Sequence, residues 1–403
     1  MCRDDYSKKS VMKLPLYIEK IIEILEENGI ECYVVGGCVR DYLLSRTPDD
    51  YDMCAGEIPE KISEILGKYF KIIPTGIQHG TVTAISEGHP VEITSFRMET
   101  GYSDFRHPDE VLYTKDIKKD LERRDFTINA MCFNPKTGII DIYNGKNDIK
   151  NKIIKTVGNP DRRFNEDALR IIRALRFASQ LDFKIETETE KSIRKNFDLL
   201  KNVALERIFS ETNKLLCGFC GVLNEYRDVL TKIYTDYPEN TSYLIKKTNT
   251  LELKYYFLLK NNTEDELRIV TKQMKMPEKM RKNILFIYAN KNFRISEKME
   301  EIEIKLVISR FGYEKAAFLL EKQDIEEKTG GKYKKSAEKI FKDEKNCLSL
   351  KKLEINGNDL KEMGVTGKNI GILLNKMLEM VIKGKIENNR KKLLKSIEKI
   401  INI

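Results

Sequence analysis

The spacing of apolar residues predicts one helix at the start of the chain and several short strands after it. An amphipathic helix fits residues 15–28, where Ile18, Ile21, Ile22 and Leu25 recur at intervals of three and four. Short β-branched or apolar runs bounded by turn residues predict strands at 31–36, 50–54, 80–86 and 90–95. A hairpin-like segment at 138–145 follows. The N-terminal part is therefore expected to contain a sheet.

The remainder of the chain has the pattern of helices. Eight of the ten prolines fall within the first 160 residues, and none follows Pro277, so helices can run there with few interruptions. Apolar residues at helical spacing predict helices at 165–180, 187–199, 203–217, 241–260, 264–276 and 370–382. Residues 97–118 show no clean period and are expected to form a long mobile loop.

Composition narrows the class of protein. A chain of 403 residues is long enough for two to four domains. Its content of 41% hydrophobic and 33% charged residues is typical of a globular protein. No run of about 18 apolar residues and no signal peptide is evident, so we expect a cytoplasmic protein that contacts no membrane. Only three histidines are present, which argues against a multi-histidine metal centre.

The net charge of +9 is concentrated at one end of the chain. Residues 331–403 contain 18 Lys or Arg and 9 Asp or Glu, so the preceding residues balance. A basic terminal segment favours contact with a polyanion such as RNA. A solvated helical surface is the alternative for this segment taken alone.

A glycine turn and a pair of acids form the first candidate site. An apolar strand runs into Gly36 and Gly37, and Arg40 follows in the next helix. Asp50 and Asp52 lie on a predicted strand and therefore point to the same face. Two aligned carboxylates beside a glycine turn can hold Mg²⁺ and a polyphosphate together. This combination indicates a metal-dependent enzyme that acts on a nucleoside triphosphate.

Glu92, on a neighbouring predicted strand, is the candidate third carboxylate. A buried acid in such a β-branched run needs a partner or a metal. An exposed glutamate on the face of the strand is the alternative.

These residues resemble the nucleotidyltransferase domain of the family of CCA-adding enzymes and bacterial poly(A) polymerases. RRDFTINAM at 123–131 is similar to the family's second signature, and NEDALRIIRALRFA at 165–178 resembles its nucleotide-selecting helix. ALERIFSETNKLL at 204–216 resembles the neck-helix signature. The segment 353–378 is similar to the tRNA-facing tail of Gram-positive-type members.

The resemblance implies an α+β fold with a polymerase-β-like mixed sheet and helices, followed by all-α neck, body and tail domains. The implied domains are a head at 1–148 with a flexible loop at 97–118, a neck at 149–220, a body at 221–330 and a basic tail for tRNA at 331–403. The resemblance also implies that Gly37, Arg40 and Arg124 position the incoming nucleotide. It places Arg173 and Arg176 in the nucleotide pocket.

Asp167 and Arg170 are candidate readers of the base. Three residues apart on a predicted helix, they share one face. A carboxylate only accepts hydrogen bonds and a guanidinium only donates them, which matches the amine and ring nitrogen of cytosine and adenine. Uracil and guanine would mismatch both contacts, at about 1–3 kcal/mol each. An ordinary surface ion pair is the alternative.

The predicted function is addition of CCA to tRNA from CTP and ATP, with Mg²⁺ held by Asp50 and Asp52 and with release of pyrophosphate. A poly(A) polymerase and a CC-only or A-only tRNA nucleotidyltransferase remain as alternatives. A non-catalytic RNA-binding protein is a further one, against which the intact acids argue. The oligomeric state is left open between monomer and homodimer.

Overall fold

The structure is a computed structural model that describes residues 12–73, 76, 80–101, 109–234, 236–296, 298 and 300–401. It divides into two compact units, one that ends at Lys232 and one that begins at Ile233. The four-domain division expected from the sequence stays a prediction.

A seven-stranded mixed sheet forms the centre of the N-terminal unit. Its strands are β1 (Cys32–Val35), β2 (Met53–Ala55), β3 (Lys71–Ile73), β4 (Thr81–Ser86), β5 (His89–Ser95), β8 (Met131–Asn134) and β9 (Gly138–Asp141), in the order β3-β4-β5-β2-β1-β8-β9. β2 is antiparallel to β1 and parallel to β5. The predicted strands at 31–36, 80–86 and 90–95 are confirmed, whereas β2 begins at Met53 rather than at residue 50.

Three short helices pack around this sheet. They are α1 (Leu16–Glu27), α2 (Gly37–Leu43) and α3 (Pro59–Leu66). The apolar face predicted for α1 is buried, since Ile18, Ile21 and Leu25 are fully inaccessible to water. The predicted helix at 15–28 is therefore confirmed.

The segment predicted as a loop at 97–118 contains a hairpin. Strands β6 (Arg97–Thr100) and β7 (Glu110–Tyr113) pair in antiparallel register, and α4 (Ile117–Glu122) follows. Backbone pairing creates these strands although every residue of β7 is exposed, so the side-chain pattern gave no periodic signal. The tip of the predicted mobile loop, residues 102–108, lies outside the described residues.

Helices carry the rest of the N-terminal unit. They are α5 (Gly145–Lys150), α6 (Pro160–Glu166), α7 (Leu169–Leu181), α8 (Thr187–Asn196), α9 (Leu205–Leu216), α10 (Val222–Glu225) and α11 (Arg227–Tyr234), the last of which contains the unit boundary. Short 3₁₀ segments occur at Thr127–Asn129 and Phe197–Asn202. Two short parallel strands, β10 (Ile153–Ile154) and β11 (Lys184–Ile185), interrupt the predicted all-helical neck.

The described C-terminal unit is helical. Its helices are α12 (Thr241–Lys246), α13 (Leu251–Leu258), α14 (Glu264–Gln273), α15 (Glu278–Ala289), α16 (Glu300–Phe311), α17 (Tyr313–Glu327), α18 (Lys332–Lys342), α19 (Gly357–Glu362), α20 (Lys368–Ile382) and α21 (Arg390–Ile401), with a 3₁₀ turn at Leu350–Lys352. The helix predicted over 241–260 is two helices because Thr248 and Thr250 donate to Glu321 between them. Within the described part of the chain, every helix is too short or too polar to cross a bilayer.

Candidate active site

A tight turn at Gly36 joins β1 to α2. Gly36 has φ +78°, and its amide donates to the carbonyl oxygen of Met131 at 3.0 Å. A methyl group at this position would lie 3.3 Å from a terminal guanidinium nitrogen of Arg124 and 3.7 Å from the carbonyl oxygen of Asn129. Glycine is therefore required by both the backbone angle and the close approach of Arg124.

The three predicted carboxylates lie close together, where the segment before β2 runs beside β5. The carbonyl oxygen of Asp52 accepts from the amide of Val35 at 2.9 Å, which aligns the residue with the start of β2. Met53 pairs with Ile93, so Asp52 lies level with Glu92 on parallel strands. Asp50, Asp52 and Glu92 are all exposed.

The surroundings of Asp52 are unfavourable for its negative charge. Its pKa is raised, first by partial desolvation against the surrounding protein and then by the negative charges of Asp50 and Glu92. The positive charge of Arg124 opposes the shift. The acids repel one another, and a cation between them would relieve that repulsion.

The donor set fits a hard divalent cation. Asp50, Asp52 and Glu92 present oxygen ligands and make no side-chain hydrogen bond or ion pair with any described residue. Among the described residues, no group of three or more His, Cys, Asp or Glu side chains has the geometry of a complete metal site. Mg²⁺ usually takes one or two carboxylates and completes its coordination with water and substrate phosphates, which is consistent with this arrangement.

Arg40 is held on the other side of the glycine turn. Its guanidinium donates to Asp41 at 2.9 Å and to Asn129 at 2.8 Å, and its Cζ lies 5.3 Å from the centre of the Phe177 ring. Asp41 and Asn129 therefore fix its direction.

Arg124 lies beneath the turn with part of its hydrogen-bonding capacity unused. One terminal nitrogen donates to the buried carboxylate of Asp120 at 3.1 Å. Its Nε is buried and has no hydrogen-bond partner among the described residues. A buried donor without a partner is uncommon in proteins.

The predicted helix over 165–180 is broken at Asp167, which corrects the expected placement of the base-reading pair. α6 ends at Glu166 and α7 begins at Leu169, while Asp167 itself is extended. Its carboxylate accepts from the amide of Leu169 at 3.1 Å and from Arg207 at 3.0 Å. Asp167 and Arg170 therefore do not share a helix face, and the ordinary ion pair between them is not formed.

Arg170 is held by a separate partner, Glu166. A terminal nitrogen of Arg170 donates to Glu166 at 2.7 Å, and Arg163 donates to the same carboxylate oxygen at 2.7 Å. Burial alone would raise the pKa of Glu166, but the two guanidinium groups hold it below its ordinary value. The carbonyl oxygens of Arg123 and Arg163 accept further bonds from Arg170.

Arg173 and Arg176 pair with two other acids, Asp125 and Glu211. Arg173 donates to Asp125 at 2.6 and 2.9 Å, and both arginines lie against Glu211, at 3.5 and 3.1 Å. Arg173 lowers the pKa of the buried Asp125 to about 2 against the opposing effect of burial. Arg176 packs over Phe177 at 3.9 Å, and burial, with the charge of Arg173, lowers the pKa of Arg176 to about 10.

Sequence reasoning missed four residues that position this site. They are Asp125, Asn129, Arg207 and Glu211. The first two stand within RRDFTINAM and the last two within ALERIFSETNKLL, so the motifs contained the signal. Their partners were not predictable because each contact joins residues 35 or more positions apart in the chain.

Three family models match successive parts of the chain. The Poly A polymerase head domain covers residues 32–155, the RNA and SrmB-binding site of polymerase A covers 182–220, and the tRNA nucleotidyltransferase domain 2 covers 247–397. The matches fall on the sheet, the neck region and the C-terminal helices.

Similar proteins extend over nearly the whole chain. The CCA-adding enzyme of Ligilactobacillus salivarius is 37% identical over 406 residues, which is 97% of this chain and 98% of that protein. The structure of the Bacillus stearothermophilus CCA-adding enzyme in complex with CTP has a TM-score of 0.79 at 26% identity and covers 96% of this chain and 100% of that one. A tRNA nucleotidyltransferase complexed with a primer tRNA and an incoming ATP analog has a TM-score of 0.64 at 26% identity, with 80% and 98% covered.

Glu166 is expected to be essential for the stability of the N-terminal unit. Glu166→Gln keeps the shape of the side chain but leaves the buried guanidinium groups of Arg163 and Arg170 without a charged partner. The free energy of unfolding should fall by about 3–5 kcal/mol. Urea unfolding followed by circular dichroism measures this change.

Glu188→Gln is the matched control, because Glu188 pairs with Lys191 at 2.8 Å on the surface, where both side chains are about two-thirds exposed. It should cost at most about 1 kcal/mol. Equal losses in the two variants would show that the buried arginines do not depend on Glu166.

Proposed function

Because the chain belongs to the family of CCA-adding enzymes, we propose that it adds C, C and A in turn to the 3′ end of tRNA, from CTP and ATP and without a nucleic-acid template. The observation that carries the proposal is the group of unpaired acids, Asp50, Asp52 and Glu92, beside the glycine turn and Arg124. This arrangement supplies a cation site and a phosphate site next to each other.

The 3′ hydroxyl of tRNA attacks the α-phosphate of the nucleotide, and pyrophosphate leaves. Asp50 and Asp52 would hold Mg²⁺, with Glu92 as the third acid. A metal held there would supply a lower pKa for the attacking hydroxyl and positive charge for the leaving pyrophosphate. Family membership supports a divalent metal, and the oxygen-only donor set supports Mg²⁺ in particular.

Gly37, Arg40 and Arg124 position the triphosphate. The glycine turn lets phosphate approach the backbone, and a terminal nitrogen of Arg124 lies next to Gly36. Because Asp41 and Asn129 already fix Arg40, its guanidinium needs little ordering when a nucleotide binds.

Asp167 and Arg170 read the base as two separately supported groups. Arg207 orients the acceptor and Glu166 orients the donor, so neither reader depends on the other for its place. Arg173 and Arg176 contact Asp125 and Glu211, which supports a positioning role in the same pocket. Their direct contact with the nucleotide stays a prediction.

The basic C-terminal segment holds tRNA through its phosphates, so the affinity for tRNA should fall as the salt concentration rises.

Action on tRNA supports the cytoplasmic location expected from the sequence. The choice between monomer and homodimer stays a prediction.

Complete CCA addition is favoured over its alternatives. In this family, enzymes that add only CC lack part of the loop between the acids and the second signature. Here β6 and β7 form a paired hairpin base in that region. The relatives over the whole chain are CCA-adding enzymes, which disfavours a general poly(A) polymerase.

The proposed function predicts product lengths. Purified protein would be incubated with tRNA transcripts that end before CCA, after C and after CC. CTP alone should add up to CC, ATP alone should add one A only to the CC-ended transcript, and both together should complete CCA. Long A tracts, products that stop at CC, or extension of the CC-ended transcript alone would each contradict the proposal and identify the corresponding alternative.

The metal assignment predicts that the two aspartates are indispensable to chemistry but not to tRNA binding. Asp50→Ala with Asp52→Ala should slow incorporation by more than about a thousandfold, since a catalytic metal supplies several kcal/mol. The Kd for tRNA should change by less than about threefold, because phosphate contacts elsewhere dominate it. Single-turnover extension and filter binding give the two values.

Asp49→Ala is the control, since Asp49 is an exposed acid in the same segment. It should extend tRNA at close to the wild-type rate. Turnover by the double variant would show that the metal is held elsewhere.

A further inference from the structure

The three acids beside β2 and β5 are not held in place by contacts of their own side chains with the described residues. Asp50, Asp52 and Glu92 repel one another, and no described cation or hydrogen-bond donor pairs with their side chains. Their spacing must therefore be set by the strand segments that carry them.

Each strand segment that carries an acid also carries an aromatic or imidazole side chain. Within β5, His89 and Glu92 are three residues apart and therefore point to opposite faces of the sheet. Tyr51 lies between Asp50 and Asp52 in the segment before β2, and it is half-buried whereas both acids are exposed.

One aromatic ring of α1 contacts both strand segments. The Tyr17 ring stacks on His89, with centroids 4.4 Å apart and planes 15° apart. It also meets the edge of the Tyr51 ring at 6.4 Å and 85°. Both arrangements are favourable aromatic geometries.

A second contact fixes α1 to the same hairpin. Lys20, three residues after Tyr17 and hence on the same side of α1, forms an ion pair with Glu87 in the turn between β4 and β5. The buried face of α1, with Ile18 and Ile21, anchors the helix to the sheet. Tyr17, held by α1, therefore contacts both the segment that carries Asp50 and Asp52 and the strand that carries Glu92.

We propose that Tyr17, Tyr51 and His89 form an aromatic clamp that sets the spacing of the metal-binding carboxylates by joining the two segments that carry them. The three are positioning residues, since none touches the reacting atoms. The clamp holds Asp52 level with Glu92 against their repulsion, so that a cation meets a preformed site. This inference rests on the metal role of the acids in the proposed function.

The test is binding of Mn²⁺, used as a spectroscopic substitute for Mg²⁺. Free Mn²⁺ would be measured by electron paramagnetic resonance with the full-length protein, in the absence of nucleotide and tRNA. Tyr51→Leu should weaken Mn²⁺ binding by about 2- to 12-fold, the size expected for loss of one aromatic pair. Tyr51→Phe keeps the ring and should bind like wild type.

Tyr17→Leu is a second variant that leaves the acidic segment unchanged. It should also weaken Mn²⁺ binding, and the double variant should lose less than the product of the two single effects because both remove the same contact. Ile62→Val, at a fully buried position of α3, is the control for loss of stability. It should lower Tm and leave Mn²⁺ binding unchanged.

Wild-type Mn²⁺ affinity in both leucine variants, measured well below their Tm, would overturn the clamp, as would equal weakening by Ile62→Val. The result is separable from the proposed function. A protein that binds Mn²⁺ with the predicted variant pattern but does not extend tRNA would contradict the function and leave the clamp standing. A protein that completes CCA while the variants bind Mn²⁺ normally would contradict the clamp alone.

Discussion

Charge compensation among buried side chains is the constraint on which the N-terminal unit depends. Removing one partner of a buried ion pair costs several kcal/mol, so each buried arginine must lie against an acid. The acids that meet this need are Asp120, Asp125, Glu166 and Glu211. Three of them join α7 to the segments on either side of it in the chain, so the helix that carries Arg170 is held in place by charge as well as by apolar packing.

The candidate catalytic acids are the exception to this rule. Asp50, Asp52 and Glu92 lie within reach of one another's charge and have no described cationic side chain paired with them. Repulsion between these carboxylates is unfavourable in the free protein. It is outweighed by the attraction of each carboxylate to a divalent cation once one binds. The buried arginines that are paired with acids therefore support the structure. The acids that have no such partner are the groups that we propose act on the substrate.

Local patterns predicted the elements that are local in origin. The apolar periodicity of α1 and α20, the β-branched runs of β4 and β5, and the glycine turn before α2 each follow from short-range rules. The acidic pair and the motif arginines were also visible in the sequence.

Contacts between distant segments were not predictable in this way. The break before Leu169 exists because Asp167 accepts from that amide and from Arg207, which lies 40 residues away in the chain. Helical spacing alone favoured one continuous helix and a direct Asp167–Arg170 pair. The hairpin of β6 and β7 was missed for a similar reason, since backbone pairing rather than side-chain alternation defines it.

We propose that the protein itself serves as the template, with Asp167 as the hydrogen-bond acceptor and Arg170 as the donor. The most direct test is the ratio of kcat/KM for CTP to that for UTP, measured on tRNA that lacks CCA, in wild type and in Asp167→Asn. The asparagine keeps the shape of the side chain but can also donate a hydrogen bond, and a ratio is insensitive to a general loss of active protein. We expect the ratio to fall by about 5- to 160-fold, the effect of one mismatched polar contact of about 1–3 kcal/mol. An unchanged ratio, with both nucleotides used equally less well, would contradict it.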